Sequence, residues 1–339
     1  MNILFTGGGT GGHLVIARAL AEIAKKRGHT AVFIGSTSGQ DRQWFEHADT
    51  FDETYFLDTT GVVNKGGLGK IGAIWKIIKA VTLSRRILRE KKIDAVVSVG
   101  GFSAAPASLA AMSMHLPLYI HEQNAVTGKL NSILRPYAKA FFTSYEEGES
   151  HCDYPVNPLY FERARVRKKV STVIFLGGSQ GAKFINDLAL EMAPWLNGHH
   201  IRIIHQCGAK EEERVVNAYR EMEIEAEVYG FTTAIADLIE RSDFAISRSG
   251  ASTLWELCAA GVPTFFIPFP HAAGDHQYHN ARYVVEHRLG WCERQSESIA
   301  LELQRALSSD IEPISKGISS LISPNGAVHI IERIEQEEV

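Results

Sequence analysis

The chain has 339 residues, of which 45% are hydrophobic and 22% charged, and its formal net charge is −4. This length exceeds that of an average domain, so two domains are expected, and the mild acidity argues against general nucleic-acid binding. Four cysteines lie far apart without a Cys-x-x-Cys pair, which fits neither a zinc site nor a disulfide framework and indicates a reducing compartment. No signal peptide is recognisable, and no apolar run of about 18 residues predicts a membrane span.

Short apolar runs alternate with longer amphipathic segments along the first half of the chain. Strands are predicted at 2–6, 31–34, 95–99, 118–121 and 140–143. Helices are predicted at 14–26, 70–91, 104–114 and 127–134. Strand followed by helix, repeated in this way, is typical of a parallel sheet with crossover helices.

The same order restarts in the second half, at "TVIFLGGSQGAKFINDLALE" (172–191). The basic, proline-containing segment 154–171 between the halves is interpreted as a linker. We therefore predict an α/β protein of two domains, 1–157 and 158–322, whose parallel sheets face each other across a cleft. A short helix is predicted over 323–339. It could pack on either domain, and we predict packing on the first.

The opening loop satisfies the dinucleotide pattern G-x-G-x-x-G through Gly7, Gly9 and Gly12. A dehydrogenase also needs an acidic residue at the end of the second strand to hold the ribose. That position holds the Gly-Ser pair 35–36, and the nearest acid, Asp41, falls well into the loop. The pattern therefore argues against a nicotinamide cofactor.

Glycine loops still allow a backbone to approach phosphate closely at the start of a helix. Two further loops, "VGGFSAA" (99–105) and "GGSQGA" (177–182), also follow strands. The alternative is a set of tight turns without a ligand. His13, at the entrance of the first helix, could accept a proton from a hydroxyl nucleophile or merely bond the backbone there, and its position does not decide between these roles.

A strand predicted at Phe244–Ser247 is followed by small hydroxylated residues that open a helix. Such a helix N-terminus can receive a diphosphate. Glu256, three residues after Thr253, either accepts the two hydroxyls of a ribose or completes a capping box. Spacing leaves both interpretations open.

The loop "PFPHAAGDHQYHNA" (268–281) is rich in polar side chains. A metal site is one interpretation, but no register of the H-E-x-x-H kind is present. A sugar-binding loop is therefore favoured. The candidate metal ligands are His271, Asp275, His276 and His279, and the candidate sugar contacts are Asp275, His276, Gln277 and Asn280.

Six motifs together resemble the MurG family of bacterial cell-wall glycosyltransferases, within glycosyltransferase family 28. They occur in order as "GGGTGGH", "VGGFSAAP", "HEQNAVTGKLN", "GGSQGA", "SRSGASTLWE" and "DHQYHNA". The resemblance covers nearly the whole chain and implies the GT-B fold, with two Rossmann-like domains. It also implies an inverting transfer of N-acetylglucosamine (GlcNAc) from UDP-GlcNAc to the C4 hydroxyl of lipid I, the undecaprenyl-diphospho-muramyl-pentapeptide acceptor.

The resemblance assigns acceptor binding to the first domain and UDP-GlcNAc binding to the second, and His13 matches the family's candidate base. The acceptor diphosphate is expected at Gly8, Gly9, Gly100, Gly101 and Ser103. The donor is expected at Thr10, Gly11, Gly12, Asn124, Ser179, Phe231, Thr232, Arg248, Ser249, Gly250, Ala251, Ser252, Thr253, Leu254, Glu256, His276 and Gln277.

One motif departs from the family. Where the family often reads "GNPVR", this chain reads "VNPLY", with Val156 for the glycine and Tyr160 for the arginine. Tyr160 is therefore left out of the predicted site. Arg163 or Arg165 nearby is an alternative basic residue.

No Asp-x-Asp metal motif is present, so stabilisation of the leaving UDP is expected from the helix N-terminus after Ser249, with Arg248 as a helper. No cofactor is expected to be required, and a divalent cation is expected only to stimulate. The rival hypotheses are a UDP-GlcNAc 2-epimerase, a transferase for another lipid acceptor, and a non-catalytic nucleotide-sugar-binding subunit.

The polyprenyl acceptor implies a peripheral enzyme on the cytoplasmic face of the plasma membrane, with a cell-wall synthesis complex as a further partner. Residues 59–89 contain seven basic and no acidic residues. An apolar stripe with flanking basic residues favours contact with an anionic membrane surface, whereas core packing of the stripe is the alternative. The predicted membrane patch comprises Ile71, Ile74, Trp75, Ile78, Lys76, Lys79 and Arg85, and Val81 continues the stripe.

Overall fold

The computed structural model describes residues 1–59, 67–178 and 181–338, and in the helix that begins at residue 67 it describes side chains from residue 75 onward. The chain divides into two compact units. The first unit consists of Met1–Pro155 and Asn325–Val339, and the second unit consists of Val156–Pro324.

Each unit contains, among its described residues, a six-stranded sheet whose strands pair in parallel. The strand orders are β3-β2-β1-β4-β5-β6 in the first unit and β12-β11-β10-β7-β8-β9 in the second. The strands are β1 (Asn2–Thr6), β2 (Thr30–Ser36), β3 (Glu53–Leu57), β4 (Ala95–Ser98), β5 (Leu118–Glu122), β6 (Ala140–Thr143), β7 (Thr172–Leu176), β8 (Arg202–Gln206), β9 (Ala226–Tyr229), β10 (Phe244–Ser247), β11 (Thr264–Phe266) and β12 (Trp291–Cys292).

Helices connect the strands, and buried aliphatic side chains from both element types form the core of each unit. The helices are α1 (Gly11–Lys26), α2 (Asp41–Phe45), α3 (Gly67–Glu90), α4 (Ala105–Ser113), α5 (Lys129–Leu134), α6 (Pro158–Glu162), α7 (Lys183–Gly198), α8 (Glu212–Glu221), α9 (Ile235–Arg241), α10 (Ala251–Ala259), α11 (His276–Glu286), α12 (Ile299–Leu307), α13 (Glu312–Ile318) and α14 (Gly326–Glu338).

The five strands predicted for the first half are present, but the edge strand β3 was missed. Its side chains are mostly half-buried rather than strictly alternating, because only one neighbouring strand covers this edge of the sheet. Helix α1 begins at Gly11, three residues before its predicted start, because the glycines of the loop already adopt its first turn.

The segment interpreted as a linker is folded from Val156 onward and belongs to the second unit. Asn157 caps α6 by accepting a hydrogen bond from the amide of Leu159 at 3.0 Å. Arg167 is fully buried, and its guanidinium donates to the carbonyl oxygens of Ile239 and Ser242, which end α9, and of Ala260, which ends α10. Carbonyl oxygens at helix ends carry partial negative charge, so they compensate the buried cation.

The C-terminal helix α14 packs against α1 through Ile330, Ile331 and Ile334, which are fully buried. Its Glu335 accepts hydrogen bonds from Arg27 at 2.7 Å and bonds His29 at 2.6 Å. The end of the chain is therefore part of the first unit.

Candidate functional site

The loops after β1, β4 and β5 lie side by side at one edge of the first sheet, because these three strands are neighbours in it. These loops, with the first turn of α1, hold the predicted residues 8–13, Gly100, Gly101, Ser103 and Asn124. Carboxyl ends of adjacent parallel strands are where ligands collect in such sheets. The sequence predicted these segments separately, and the sheet order brings them together.

The first two of these loops pack backbone against backbone. The amide of Gly8 donates to the carbonyl oxygen of Gly100 at 3.1 Å. A Cβ on Gly101, whose φ is +81°, would lie 2.2 Å from the carbonyl oxygen of Gly8. Part of the glycine content therefore serves this close approach rather than a ligand.

Asp41, the first residue of α2, supports the opening loop. Its carboxylate accepts hydrogen bonds from the amides of Gly9 at 2.5 Å and Ser36 at 2.8 Å, and desolvation by burial raises its pKa. Asp41, which the sequence pattern did not place at a ribose-binding position, therefore stabilises the glycine loop through these hydrogen bonds.

His13 is the third residue of α1. Its Nδ1 lies 3.0 Å from the hydroxyl of Thr10 in the same turn, and its Nε2 lies 2.9 Å from the amide nitrogen of Gln123. The ring therefore bonds two side chains, which differs from a histidine that only caps backbone at a helix end. Gln123, within the motif "HEQN", was not among the predicted residues.

The second unit contains a cavity of about 270 Å³ at the carboxyl ends of its strands, near the lower end of the range of about 300–1,000 Å³ for ligand pockets. The predicted donor residues among its lining are Phe231, Thr232, Arg248, Gly250, Thr253, Glu256 and Gln277. Loop residues 177–178, at the end of β7, and Gln206, at the end of β8, also line it. Gln206 was not among the predicted site residues, although its position at the carboxyl end of a strand could have indicated it.

Helix α10 begins at Ala251 beside this cavity, with Gly250 as its N-cap. A capping box would require the acid at the third helical position, which is Thr253, whereas Glu256 lies one turn further. The capping interpretation of Glu256 is therefore wrong. Its carboxyl group borders the cavity, and desolvation raises its pKa to about 7.

Tyr160, the residue that departs from the family motif, is buried in α6 against α10. Its hydroxyl favours the ionised form of Glu256 and so opposes the rise of that group's pKa. Arg163 instead pairs with Asp237 of α9, and Arg165 pairs with Asp243 at 2.8 Å. The neighbour of Glu256 at this position is thus a neutral phenol rather than an arginine.

Two polar side chains at the cavity have fixed orientations. The side-chain oxygen of Gln277 accepts from the amide of Phe269 at 2.9 Å, which leaves its NH₂ group as the donor end. Arg248 donates to the carbonyl oxygens of Ile267 and Pro268, both at 3.0 Å, and desolvation lowers its pKa to about 10. Arg248 therefore stays cationic at neutral pH.

The remaining predicted donor residues lie elsewhere. Ser249, Ala251 and Leu254 are buried, and the amide of Leu254 donates to the carbonyl oxygen of Gly250 within the helix. Ser252 lies in the first turn of α10, and Ser179 lies outside the described residues. Four of the predicted donor residues belong to the first unit, namely Thr10, Gly11, Gly12 and Asn124.

The candidate metal ligands of the loop 268–281 make other contacts. Asp275 pairs with Arg294 at 2.5 Å, and His276 bonds the carbonyl oxygen of Ala273 at 2.9 Å through Nδ1. Within the part of the chain that the structure describes, no three His, Cys, Asp or Glu side chains are grouped for a metal ion.

Helix α3 presents part of the predicted membrane patch to the surface. Trp75 is 68% exposed and Ile78 is 51% exposed, and Lys76 and Lys79 are exposed beside them. Val81 packs against the core, and the side chains of Ile71 and Ile74 lie outside the described residues. Among the described residues, no helix has the length and apolar character needed to cross a membrane.

Family models match both halves of the chain. The glycosyltransferase family 28 N-terminal domain matches residues 3–143, and the glycosyltransferase family 28 C-terminal domain matches residues 172–330.

Similar proteins carry one name, UDP-N-acetylglucosamine--N-acetylmuramyl-(pentapeptide) pyrophosphoryl-undecaprenol N-acetylglucosamine transferase. The protein of that name from Sulfurimonas denitrificans is 53% identical over 98% of this chain and 97% of its own length. The one from Campylobacter fetus is 51% identical over 98% of this chain and 99% of its own.

The crystal structure of Acinetobacter baumannii MurG has a TM-score of 0.80 to this chain, with 27% identity and 98% of each chain covered. A UDP-GlcNAc 2-epimerase from Neisseria meningitidis is similar in fold, with a TM-score of 0.66 at 12% identity over 99% of this chain and 100% of its own. The predicted GT-B fold class is confirmed. The chain belongs to glycosyltransferase family 28.

Proposed function

We propose that this protein transfers GlcNAc from UDP-GlcNAc to the C4 hydroxyl of lipid I, with inversion, and so forms lipid II for peptidoglycan synthesis. The observation that supports this most strongly is the 53% identity, over 98% of the chain, to a transferase named for this donor and acceptor. The cavity of the second unit adds a chemical argument, because it combines a helix N-terminus with a carboxyl group.

In this proposal, the donor occupies the cavity of the second unit. The first turn of α10 receives the diphosphate and stabilises the negative charge that grows on the departing UDP. Arg248, which lines the same cavity, adds a positive charge. Glu256 accepts the ribose hydroxyls in its ionised form, and the NH₂ group of Gln277 donates to an oxygen of the sugar.

The acceptor binds the first unit, with its diphosphate at the two glycine loops. His13, next to these loops, removes the proton of the attacking hydroxyl. Helix α3 contacts the anionic membrane surface in which the polyprenyl chain is anchored, through exposed Trp75 and Ile78 and the basic residues around them. In this proposal the protein works as a peripheral enzyme at the cytoplasmic face of the membrane.

The test is transfer of labelled GlcNAc from UDP-GlcNAc onto a short-chain lipid I analogue. We expect transfer by the wild type and a loss of about a hundredfold in kcat for His13→Ala with unchanged donor affinity. His47→Ala, at an exposed position of the same unit, is the matched control. Near-normal turnover of His13→Ala would assign the base to another residue.

Two further outcomes concern the whole proposal. Binding of UDP-GlcNAc without transfer would indicate a different acceptor. Formation of a 2-epimerised sugar in a reaction that contains donor alone would indicate an epimerase.

A further inference from the structure

The loop after β5 is held by one carboxylate. Glu122 accepts hydrogen bonds from the amides of Asn124 at 3.0 Å and Gly128 at 2.9 Å, and from the side chain of Asn131 at 2.8 Å. Gln123 lies between Glu122 and the anchored Asn124, and it is itself buried. The backbone around Gln123 is therefore held in place. Only β4 lies between β1 and β5 in the sheet, so the side chain of Gln123 can reach the start of α1.

The side-chain nitrogen of Gln123 lies 2.9 Å from Nε2 of His13. With the amide in this orientation, its NH₂ group donates and Nε2 accepts the hydrogen bond. A neutral imidazole has one protonated nitrogen, so the proton lies on Nδ1, where the hydroxyl of Thr10 accepts it at 3.0 Å. The Gln123 contact therefore favours one tautomer, and the Thr10 hydroxyl, which can donate or accept, is compatible with it.

We infer that Gln123 is a positioning residue that fixes His13 in the tautomer protonated on Nδ1, with the lone pair of Nε2 as the basic site. The effect of Gln123 on catalysis rests on the proposed function, in which His13 is the base. The hydrogen bond between the two side chains does not depend on that proposal. Because Nε2 has a single lone pair, an acceptor hydroxyl must replace the Gln123 amide there before its proton can be removed.

Gly100 and His121 lie near the ring, and neither brings a charge to it near pH 7. Gly100 approaches Nε2 with its backbone, since a Cβ there would lie 3.4 Å from that atom. His121 of β5 is fully buried, and desolvation, followed by the charge of His13, lowers its pKa to about 3, so it is neutral near pH 7. Glu122 accepts hydrogen bonds from Asn124, Gly128 and Asn131, and Thr10 is neutral.

The tautomer can be read in the full-length protein by long-range ¹H–¹⁵N NMR of ¹⁵N-histidine-labelled protein without substrate. His13 is assigned among the 14 histidines by comparison with His13→Ala. We expect the wild type to show the Nδ1-protonated form, and Gln123→Met, which keeps the side-chain length, to gain the Nε2-protonated form. A wild type protonated on Nε2, or an unchanged tautomer in Gln123→Met, would overturn the inference.

A second variant tests the same contact through charge. Gln123→Glu places a carboxylate beside Nε2, so the midpoint of the His13 titration should rise by about one pH unit or more. Gln43→Glu adds the same charge at an exposed position of α2 and should leave the midpoint unchanged. An unshifted midpoint in Gln123→Glu would contradict the inference.

Activity then separates this inference from the proposed function. In Gln123→Glu, kcat for GlcNAc transfer should fall about tenfold near pH 7 and recover at higher pH, with the KM for donor unchanged. If the titration shifts but kcat does not, the geometry of Gln123 stands and His13 is not the base.

Discussion

The hydroxyl of Tyr160 favours the ionised form of Glu256, the acid that borders the cavity of the second unit. Tyr160 stands where the resemblance to the family predicts an arginine. A neutral donor stabilises the ionised acid less than a cation would, so desolvation dominates and raises the pKa of Glu256 to about 7.

Replacement of Tyr160 by phenylalanine should weaken donor binding. The hydroxyl favours ionised Glu256, and its loss should cost about 1 kcal/mol, or about fivefold in the Kd for UDP-GlcNAc at pH 7, measured by calorimetry. Tyr137→Phe, at an exposed tyrosine of the first unit, serves as the control. Equal affinity of Tyr160→Phe and wild type would show that the hydroxyl does not support Glu256.

Donor affinity should depend on pH because Glu256 must be ionised to accept two ribose hydroxyls. The pKa of the free protein's Glu256 is raised to about 7, so the affinity for UDP-GlcNAc should increase as the pH rises from 6 to 8 and level off above that. Glu256→Gln should bind more weakly and lose this dependence. A flat affinity profile of the wild type would be incompatible with the assigned role.

Membrane binding should depend on the exposed face of α3. The charge reversals Lys76→Glu, Lys79→Glu and Arg85→Glu in one variant should abolish sedimentation with vesicles that contain anionic lipid. The variant Lys168→Glu, Lys169→Glu and Lys210→Glu changes the net charge equally at exposed positions of the second unit. If both variants lose binding to the same extent, net charge rather than α3 is responsible.

Replacement of Arg167 should destabilise the second unit. Its guanidinium joins the ends of α9 and α10 through their carbonyl oxygens, and its loss leaves these buried acceptors without their donor. Arg167→Met should therefore cost about 3 kcal/mol or more, or about 6 °C or more in Tm. Thermal unfolding followed by fluorescence checks this, with Lys169→Met as the exposed control. A Tm within one degree of the wild type would mean that water or neighbouring groups replace the guanidinium.

The sequence determined the two parallel α/β sheets and the order of the glycine loops along them. Apolar runs, amphipathic periods and glycine turns are local patterns, and they identify strands, helices and helix entrances without knowledge of distant residues. The same patterns located His13 and Glu256, because each lies in a helix that directly follows a loop at a strand end.

Only the tertiary structure decided how these residues are held. The partners of Glu256 and His13, which are Tyr160 and Gln123, lie in other elements, and so do the carbonyl oxygens around Arg167. A basic segment between two domains has the composition of a linker whether its arginine is solvated or buried. The difference depends on which helix ends the fold places around it, and no pattern within the segment records those positions.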